Sequence, residues 1–240
     1  KDAGLDTIPG TAAEVRDAEI RQVIEPRKRG TARWVEIIEA AHRVGLRSTA
    51  TVMYGHVEQP RHVAAHLGTI REIQKRTGGF TEFVPLGFIH EKNRLFQHLH
   101  ARPGSSGPED MRVVAVARLF LRPWIPNIQM SWVKMGTKLA QFALLSGAND
   151  FGGTLMEESI SRESGSQHGE NLPAEAMRRL IREMGRTPAE RSTKYEILRV
   201  FADPAQDPPS LEPEHRTELA GPAVRDAIES SLERDKAARA

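Results

Sequence analysis

The alternation of patterns along this chain predicts an α/β fold with about five parallel strands and covering helices. Three observations carry that expectation. Short β-type runs, clearest at Thr49–Met53 and Phe80–Pro85, alternate with longer segments of helical period. The joints between them are short and marked by Gly or Pro. The strand ends carry polar residues around glycine, as in Tyr54-Gly55-His56, where parallel α/β enzymes place their chemistry.

Taken in order, Leu5–Ile8 reads as a short strand and Pro9-Gly10-Thr11 as a turn. Ala12–Val23 reads as helix, and Pro26–Gly30 as a charged loop. Thr31 is a good N-cap for a helix to Val44, with Trp34, Ile37, Ile38, Ala41 and Val44 on one face and Gly45 as its stop. After the strand at Thr49–Met53, Pro60 opens a helix whose buried face is Val63, Leu67, Ile70 and Ile73 and which ends at Gly78-Gly79. Beyond Phe80–Pro85, Leu86–Gly107 is a long loop, and Pro108–Arg122 is helical. Asn127–Val133 is expected as a strand, Thr137–Ser146 as a helix stopped by Gly147, and Ala148–Thr154 as a strand or strand end. Leu155–Asn171 is a polar loop, followed by an amphipathic helix at Pro173–Met184. The composition changes at Ala202, so residues 1–201 are read as the folded domain and 202–240 as a polar, partly helical or disordered tail.

A 240-residue chain with 39% hydrophobic and 28% charged residues is a globular domain with a polar surplus. Net charge is +2 and the arginines are scattered, which argues against nucleic acid as a partner. No apolar run approaches the ~20 residues of a membrane span, so no membrane is expected and the location expected is the cytoplasm. There is no Cys, which removes disulfides, thiolate nucleophiles and Cys-held metal. A closed eight-stranded barrel takes roughly 250 residues. With the tail set aside, the chain fits either an open sheet or the C-terminal portion of a barrel whose first strands lie upstream of Lys1. A first residue other than Met favours the second, and the chain alone is then expected to be aggregation-prone and inert, with its sheet edge bare.

Five strand ends are candidate sites. Thr11 and Glu14 stand where a helix N-terminus can take an anion or ribose, or can simply be capped. Tyr54, His56 and Glu58 surround Gly55, which permits close backbone approach. His90 is a proton carrier or a plain loop residue. Gln129 and Ser131 share one polar face with Asn127, and such a face in a buried strand must be satisfied or bind something. Asn149, Asp150, Gly152, Gly153 and Glu157 form a glycine-containing end followed by acids, otherwise a surface turn. These ends are expected to converge on one pocket. His62 and His66 are four apart on a helix, but Val63 stands where a zinc-protease motif needs Glu, so a solvated face is the expectation. His98 and His100 lack a partner cluster for metal. An ordinary α/β enzyme using Glu58, Glu157 or His90 in acid/base work, and a non-catalytic half-barrel that holds a ligand, remain open readings.

The strings IPGTAAE, MYGHVE, GGFTEFVPL, PNIQ-SWVK and ND-GGTLMEESIS together resemble radical S-adenosylmethionine enzymes, and within them the tyrosine-using half of FO synthase, the CofH family. The menaquinone-pathway relatives, aminofutalosine synthase and the futalosine cyclase, share the architecture. The resemblance implies the C-terminal portion of a radical SAM (β/α) barrel. It implies S-adenosyl-L-methionine and a 4Fe-4S cluster as cofactors, with cleavage giving a radical that acts on tyrosine. The tyrosine-derived 4-hydroxybenzyl group then joins 5-amino-6-(D-ribitylamino)uracil, and a CofG-type domain or subunit closes the deazaflavin ring. On this resemblance Thr11, Glu14, Tyr54, Gly55 and Glu58 bind S-adenosylmethionine; Gly55 and Glu58 match the family's G-x-I-x-G-x-x-E pattern, while Thr51 and Met53 replace its Gly and Ile. Substrate falls to His56, His90, Gln129, Ser131, Asn149, Asp150, Gly152, Gly153 and Glu157, and His168 resembles a closing loop. The family holds its cluster by C-x-x-x-C-x-x-C, for which this chain has no Cys.

Overall fold

The computed structural model describes residues 3–10, 14–27, 30–154, 159–166, 168 and 171–208. Its central sheet is parallel, in the order β1 (Thr7–Ile8), β2 (Arg47–Tyr54) and β3 (Phe80–Gly87). Two parallel bridges, Phe83↔Ile128 and Gln129↔Asp150, carry the ladder two positions further. The expected five strand positions are therefore present as three strands and two single rungs, and the described strands do not close a barrel. The expected strand at Asn127–Val133 is the main difference. The chain leaves the sheet after Gln129 and turns into a short helix, Trp132–Met135, whose N-cap is Ser131. Pro126 supplies no amide on one side of the rung, and the helical turn withdraws the amides on the other.

Around the sheet lie α1 (Ala18–Ile24), α2 (Thr31–Arg43), α3 (Pro60–Thr77), α4 (Arg94–Leu99), α5 (Gly107–Leu121), α6 (Trp132–Met135), α7 (Thr137–Ser146), α8 (Ser159–Glu163) and α9 (Ala174–Glu183). β2 alternates cleanly: Ser48, Ala50, Val52 and Tyr54 are buried toward the helices, while Thr49, Thr51 and Met53 are half-buried on the other face. The β2–β3 register adds Glu82, Val84 and Leu86 to that second face, opposite Thr49, Thr51 and Met53.

The helix starts differ from expectation in two places. Asp17 caps α1 by accepting from the Glu19 and Ile20 amides, so helix begins only at Ala18. Gly30, not Thr31, caps α2, and the Thr31 hydroxyl instead donates to Arg16 O at 2.9 Å. The buried stripe of α2 is Trp34, Ile38 and His42, while Ile37 and Val44 face solvent. On α3, Pro60 lies in the first turn and Gly78 closes the helix in the left-handed region, as its sequence implies.

His62 and His66 are buried rather than solvated. His66 Nδ1 accepts from Arg16 N at 3.2 Å, and its Nε2 donates to Thr51 O at 2.9 Å. Burial pushes this imidazole down to about 4, so it serves as a neutral clip between α3, β2 and the chain entering α1. Gln74 does similar work at the other end of α3. Its amide donates to Phe80 O and Trp124 O and accepts from Phe80 N, joining α3 to β3 and to the chain after α5.

The two single rungs are held from α5 by Arg118. Its guanidinium donates to Gly147 O at 2.6 Å, Pro126 O at 2.7 Å and Asn149 Oδ1 at 2.7 Å. Asn149 Oδ1 also accepts from Ile128 N at 2.8 Å. One planar cation with several donors thus replaces much of the ladder that a regular pair of strands would have formed.

After α9 the chain forms an unanticipated antiparallel hairpin, β4 (Ala189–Arg191) with β5 (Ile197–Val200). The chain divides into units of Lys1–Ala202 and Asp203–Ala240. Within the second, a 3-10 turn at Pro204–Gln206 is described. Among the described residues no helix is long and apolar enough to cross a membrane.

Candidate functional site

The end of β2 is built from the inside. Gly55 has φ +93°, and a Cβ there would lie 2.6 Å from Ser105 N and 2.9 Å from Gly104 C. Glu58 folds back beneath this turn, accepting from Gly55 N at 2.7 Å and His56 N at 2.9 Å, and from Arg102 Nη2 at 2.8 Å. Burial works to raise the Glu58 carboxyl, yet the Gly55 amide, the neighbouring His56 and the His56 amide hold it below its ordinary value. His56 is fully buried, donates from Nε2 to Met53 O at 3.1 Å and accepts at Nδ1 from Val57 N at 2.7 Å. Burial lowers its pKa, against the pull of Glu58, whose carboxylate lies 3.2 Å from Nδ1. The Tyr54 hydroxyl donates to Asp110 Oδ1 at 2.7 Å, and the Ser105 hydroxyl reaches the same oxygen at 2.5 Å.

The side chains expected to touch a cofactor or substrate here therefore turn inward. Tyr54, His56 and Glu58 shape the strand end, and what they leave for a ligand is backbone and the loop that they position. Glu14, the other described member of the expected cofactor set, lies 3.5 Å from Arg16 and 3.8 Å from Arg21, and its carbonyl accepts from Met53 N. Thr11 and Glu157 lie outside the described residues.

Beside this strand end opens a cleft of about 390 Å³. It is bounded by Pro85 and Gly87 at the end of β3, by Phe88–Glu91 after it, by Pro103–Ser105, by the start of α5 and by Ser131, Lys134 and Met135 at α6, and Ser166 and His168 line it as well. It takes in His90 and Ser131 of the expected substrate set, together with His168. It also takes in Asp110, Ser105 and Lys134, which the sequence did not single out. Asp110 reads in sequence as an ordinary acid of a first helical turn, and only the fold puts it beneath Tyr54.

Gln129, Asp150 and Gly152 gather elsewhere, on the second face of the sheet near the start of β3. Gly152 has φ +86°, where a Cβ would meet Gln129 Nε2 at 2.7 Å, and its amide donates to Asp150 Oδ1 at 2.8 Å. Arg191, from the hairpin, hydrogen-bonds Asp150. Tyr195, in the hairpin turn, donates to Glu82 Oε2 at 2.7 Å. Glu82 Oε1 is buried without a hydrogen bond, 3.9 Å from Arg191 Nη2. Burial and then the Asp150 carboxylate push Glu82 up to about 8. Asn149 points its carbonyl to α5 and Ile128, and Gly153 is exposed, its carbonyl accepting from Trp132 Nε1. The expected single pocket is thus two clusters. His90 and Ser131 follow the C-terminal ends of their strand positions, whereas Glu82 sits near the N-terminal end of β3 and draws Asp150 to itself.

Asp17, Glu19 and His62 also bring ligand-type atoms within 4.8 Å of one another. Asp17 is engaged as the α1 cap, and His62 Nδ1 accepts from Gln59 N, so the group serves two helix starts.

Residues 77–203, which carry β3, the cleft-bounding loops, both single rungs and the hairpin, match the family model described as the CofH/MqnC C-terminal region. The chain belongs to that family. A 5-amino-6-(D-ribitylamino)uracil–L-tyrosine 4-hydroxyphenyl transferase of Methanothermobacter thermautotrophicus is 52% identical over 195 residues, covering 81% of this chain and 53% of the relative. The transferase of the same name from Methanopyrus kandleri is 52% identical over 201 residues, covering 84% and 54%. An FO synthase of Mycobacterium tuberculosis is 51% identical over 198 residues, covering 82% of this chain and 23% of that protein. The CofH-type chain described here therefore spans about half the length of the transferases that it matches.

Proposed function

We propose that this chain is the C-terminal part of an enzyme that joins the 4-hydroxybenzyl group of tyrosine to 5-amino-6-(D-ribitylamino)uracil in deazaflavin (FO) synthesis. The observation that carries the reading is a polar cleft at the strand ends of a chain about half identical to named transferases of those two substrates. The parallel sheet with bridges to two further strand positions suits one side of a radical SAM barrel. On this reading the enzyme works in the cytoplasm with S-adenosyl-L-methionine and a 4Fe-4S cluster, and its CofG-type partner is a fused domain or a separate subunit. The match to a quarter of an FO synthase supports the fused arrangement as one natural form.

The chemistry of the donor set limits what these residues contribute. With no Cys, the 240 residues supply no thiolate for a cluster. Their part is to bind and orient substrate. His90, Asp110, Ser131 and Lys134 offer one carboxylate, one ammonium, one imidazole and one hydroxyl to the cleft, and the buried Tyr54–Glu58 turn keeps its rim fixed. The buried turn and Gly87–Phe88 exclude water from one side, since Phe88 packs edge-on against His56 with ring centroids 5.8 Å apart. A menaquinone-pathway activity is the second reading, favoured by the MqnC in the family's own description.

The test is an anaerobic reaction of the whole enzyme, with cluster reconstituted, S-adenosylmethionine, a reductant, tyrosine and the aminouracil. The expected result is a product whose mass is the aminouracil plus the tyrosine-derived benzyl group, formed only when both substrates are present. In a parallel reaction supplied with a futalosine-type substrate, its consumption, with no tyrosine adduct in the first reaction, would establish the second reading instead.

A further inference from the structure

We propose that Asp110 is the anion that receives the ammonium group of an amino-acid substrate in the strand-end cleft. The assignment rests on the transferase reading above for the identity of that amino acid, tyrosine. The geometry comes from this chain.

Asp110 lies in the first turn of α5 and is 5% exposed. Its Oδ1 is saturated by the hydroxyls of Tyr54 and Ser105. Among the described residues nothing donates to Oδ2. Yet Oδ2 is not among the buried polar atoms left without a partner, and the residue borders the cleft. Oδ2 thus keeps some contact with solvent, and Asp110 is part of the cleft wall. Such an arrangement fixes a carboxylate in place with one oxygen and presents the other. A carboxylate taken largely out of water and half satisfied is costly unless a donor, best a cation, completes it. Burial raises the Asp110 carboxyl, and a bound ammonium reverses that tendency.

The rest of the cleft says what carries the cation. Lys134, from α6, borders the same space and donates to Ser161 Oγ at 3.3 Å. A carboxylate residue of α5 and a lysine of α6 lining one cavity match a zwitterion, and a volume of about 390 Å³ is in the range of small-ligand sites. The aminouracil carries neither charge.

The experiment measures equilibrium binding to the whole, cofactor-loaded enzyme of two probes, L-tyrosine and 3-(4-hydroxyphenyl)propionate, which differ by the ammonium alone. The unaltered enzyme is expected to hold tyrosine about tenfold or more tighter. In Asp110→Asn the amide oxygen still accepts from Tyr54 and Ser105. This variant should lose about tenfold or more for tyrosine, keep the propionate within about twofold, and bind S-adenosylmethionine as before. Equal binding of both probes by the unaltered enzyme overturns the assignment whether or not the variant folds, and so does an Asp110→Asn enzyme that binds tyrosine undiminished or loses both probes alike. If the unaltered enzyme binds no tyrosine at all, the transferase reading itself falls, and this assignment falls with it.

Discussion

Glu82→Gln should stabilise the folded protein by about 2–4 kcal/mol at pH 8.5 and leave it almost unchanged at pH 4.5. Glu82 is fully buried on the second face of the sheet, and burial and the Asp150 carboxylate raise its pKa from 4.5 to about 8. Between those values the folded state holds a proton that the unfolded state has released. Stability from this group is therefore complete below pH 4.5 and declines as pH rises through 8. Glutamine removes that decline. Its oxygen accepts from Tyr195 in place of Oε2, and its amide donates toward Asp150, which a carboxylate cannot do. The groups that face Glu82 are Asp150 from the rung after α7, whose carboxylate opposes its ionisation together with burial, and Arg191 with Tyr195 from the hairpin, which favour it. Urea unfolding of both proteins across pH 4.5–8.5 gives the answer. A difference that does not vary with pH would show that Glu82 titrates near its ordinary value.

The second large effect is expected at Gly55→Ala. The residue has φ +93°, which costs an alanine on the order of 1–3 kcal/mol. The added Cβ meets backbone atoms of Gly104 and Ser105 at 2.9 and 2.6 Å, with no flexible side chain to give way. The 104–105 segment must move, which carries the Ser105 hydroxyl away from Asp110 and reshapes the cleft wall. Together the strain and the displacement should cost about 3–5 kcal/mol of stability and reduce turnover of the whole enzyme by roughly a hundredfold or more. Gly68→Ala is the matched control, since nothing lies within 4 Å of its Cβ and the site is inside α3. Thermal melts and steady-state rates of the two variants separate a local clash from a general intolerance of alanine.

Much of the framework was legible because local signals agreed with global packing. Pro60 with Gly78, and Gly147 after Thr137–Ser146, mark helices whose ends the structure reproduces. The β-type run at Thr49–Met53 marked the strand β2, although its division into one buried and one half-buried face emerges only in the structure. Strands of one rung were harder. Asn127–Gln129 and Asp150 are held by Arg118 and the Asn149 carboxamide, side chains remote in sequence, so no local pattern announces where pairing stops. The hairpin at Ala189–Val200 has exposed residues on both strands and lacks the apolar alternation that would reveal it. His66 was misread as solvated because burial of a histidine depends on whether Arg16 N and Thr51 O are there to receive it.

Strand-end logic pointed to His90 and Ser131 and the family likeness to His168, and all three border the cleft. The likeness also assigned ligand contact to Tyr54 and Glu58, whose polar groups hydrogen-bond Asp110 and the turn amides. A polar residue at a strand end can face a ligand or face the loop that faces the ligand, and spacing alone does not distinguish them. Asp110 is the counterpart: 56 residues from Tyr54 in sequence and hydrogen-bonded to it in space.

Under the proposed function, substrate occupies the cleft between β3, α5 and α6 rather than the Glu82–Asp150 cluster. Amide hydrogen exchange of the whole enzyme, with and without tyrosine and the aminouracil, tests it most directly. Ligand-dependent protection is expected within residues 85–91, 103–110 and 131–135, with the hairpin at 189–200 unchanged. Protection confined to the hairpin and to residues 80–83 and 148–152 would contradict it.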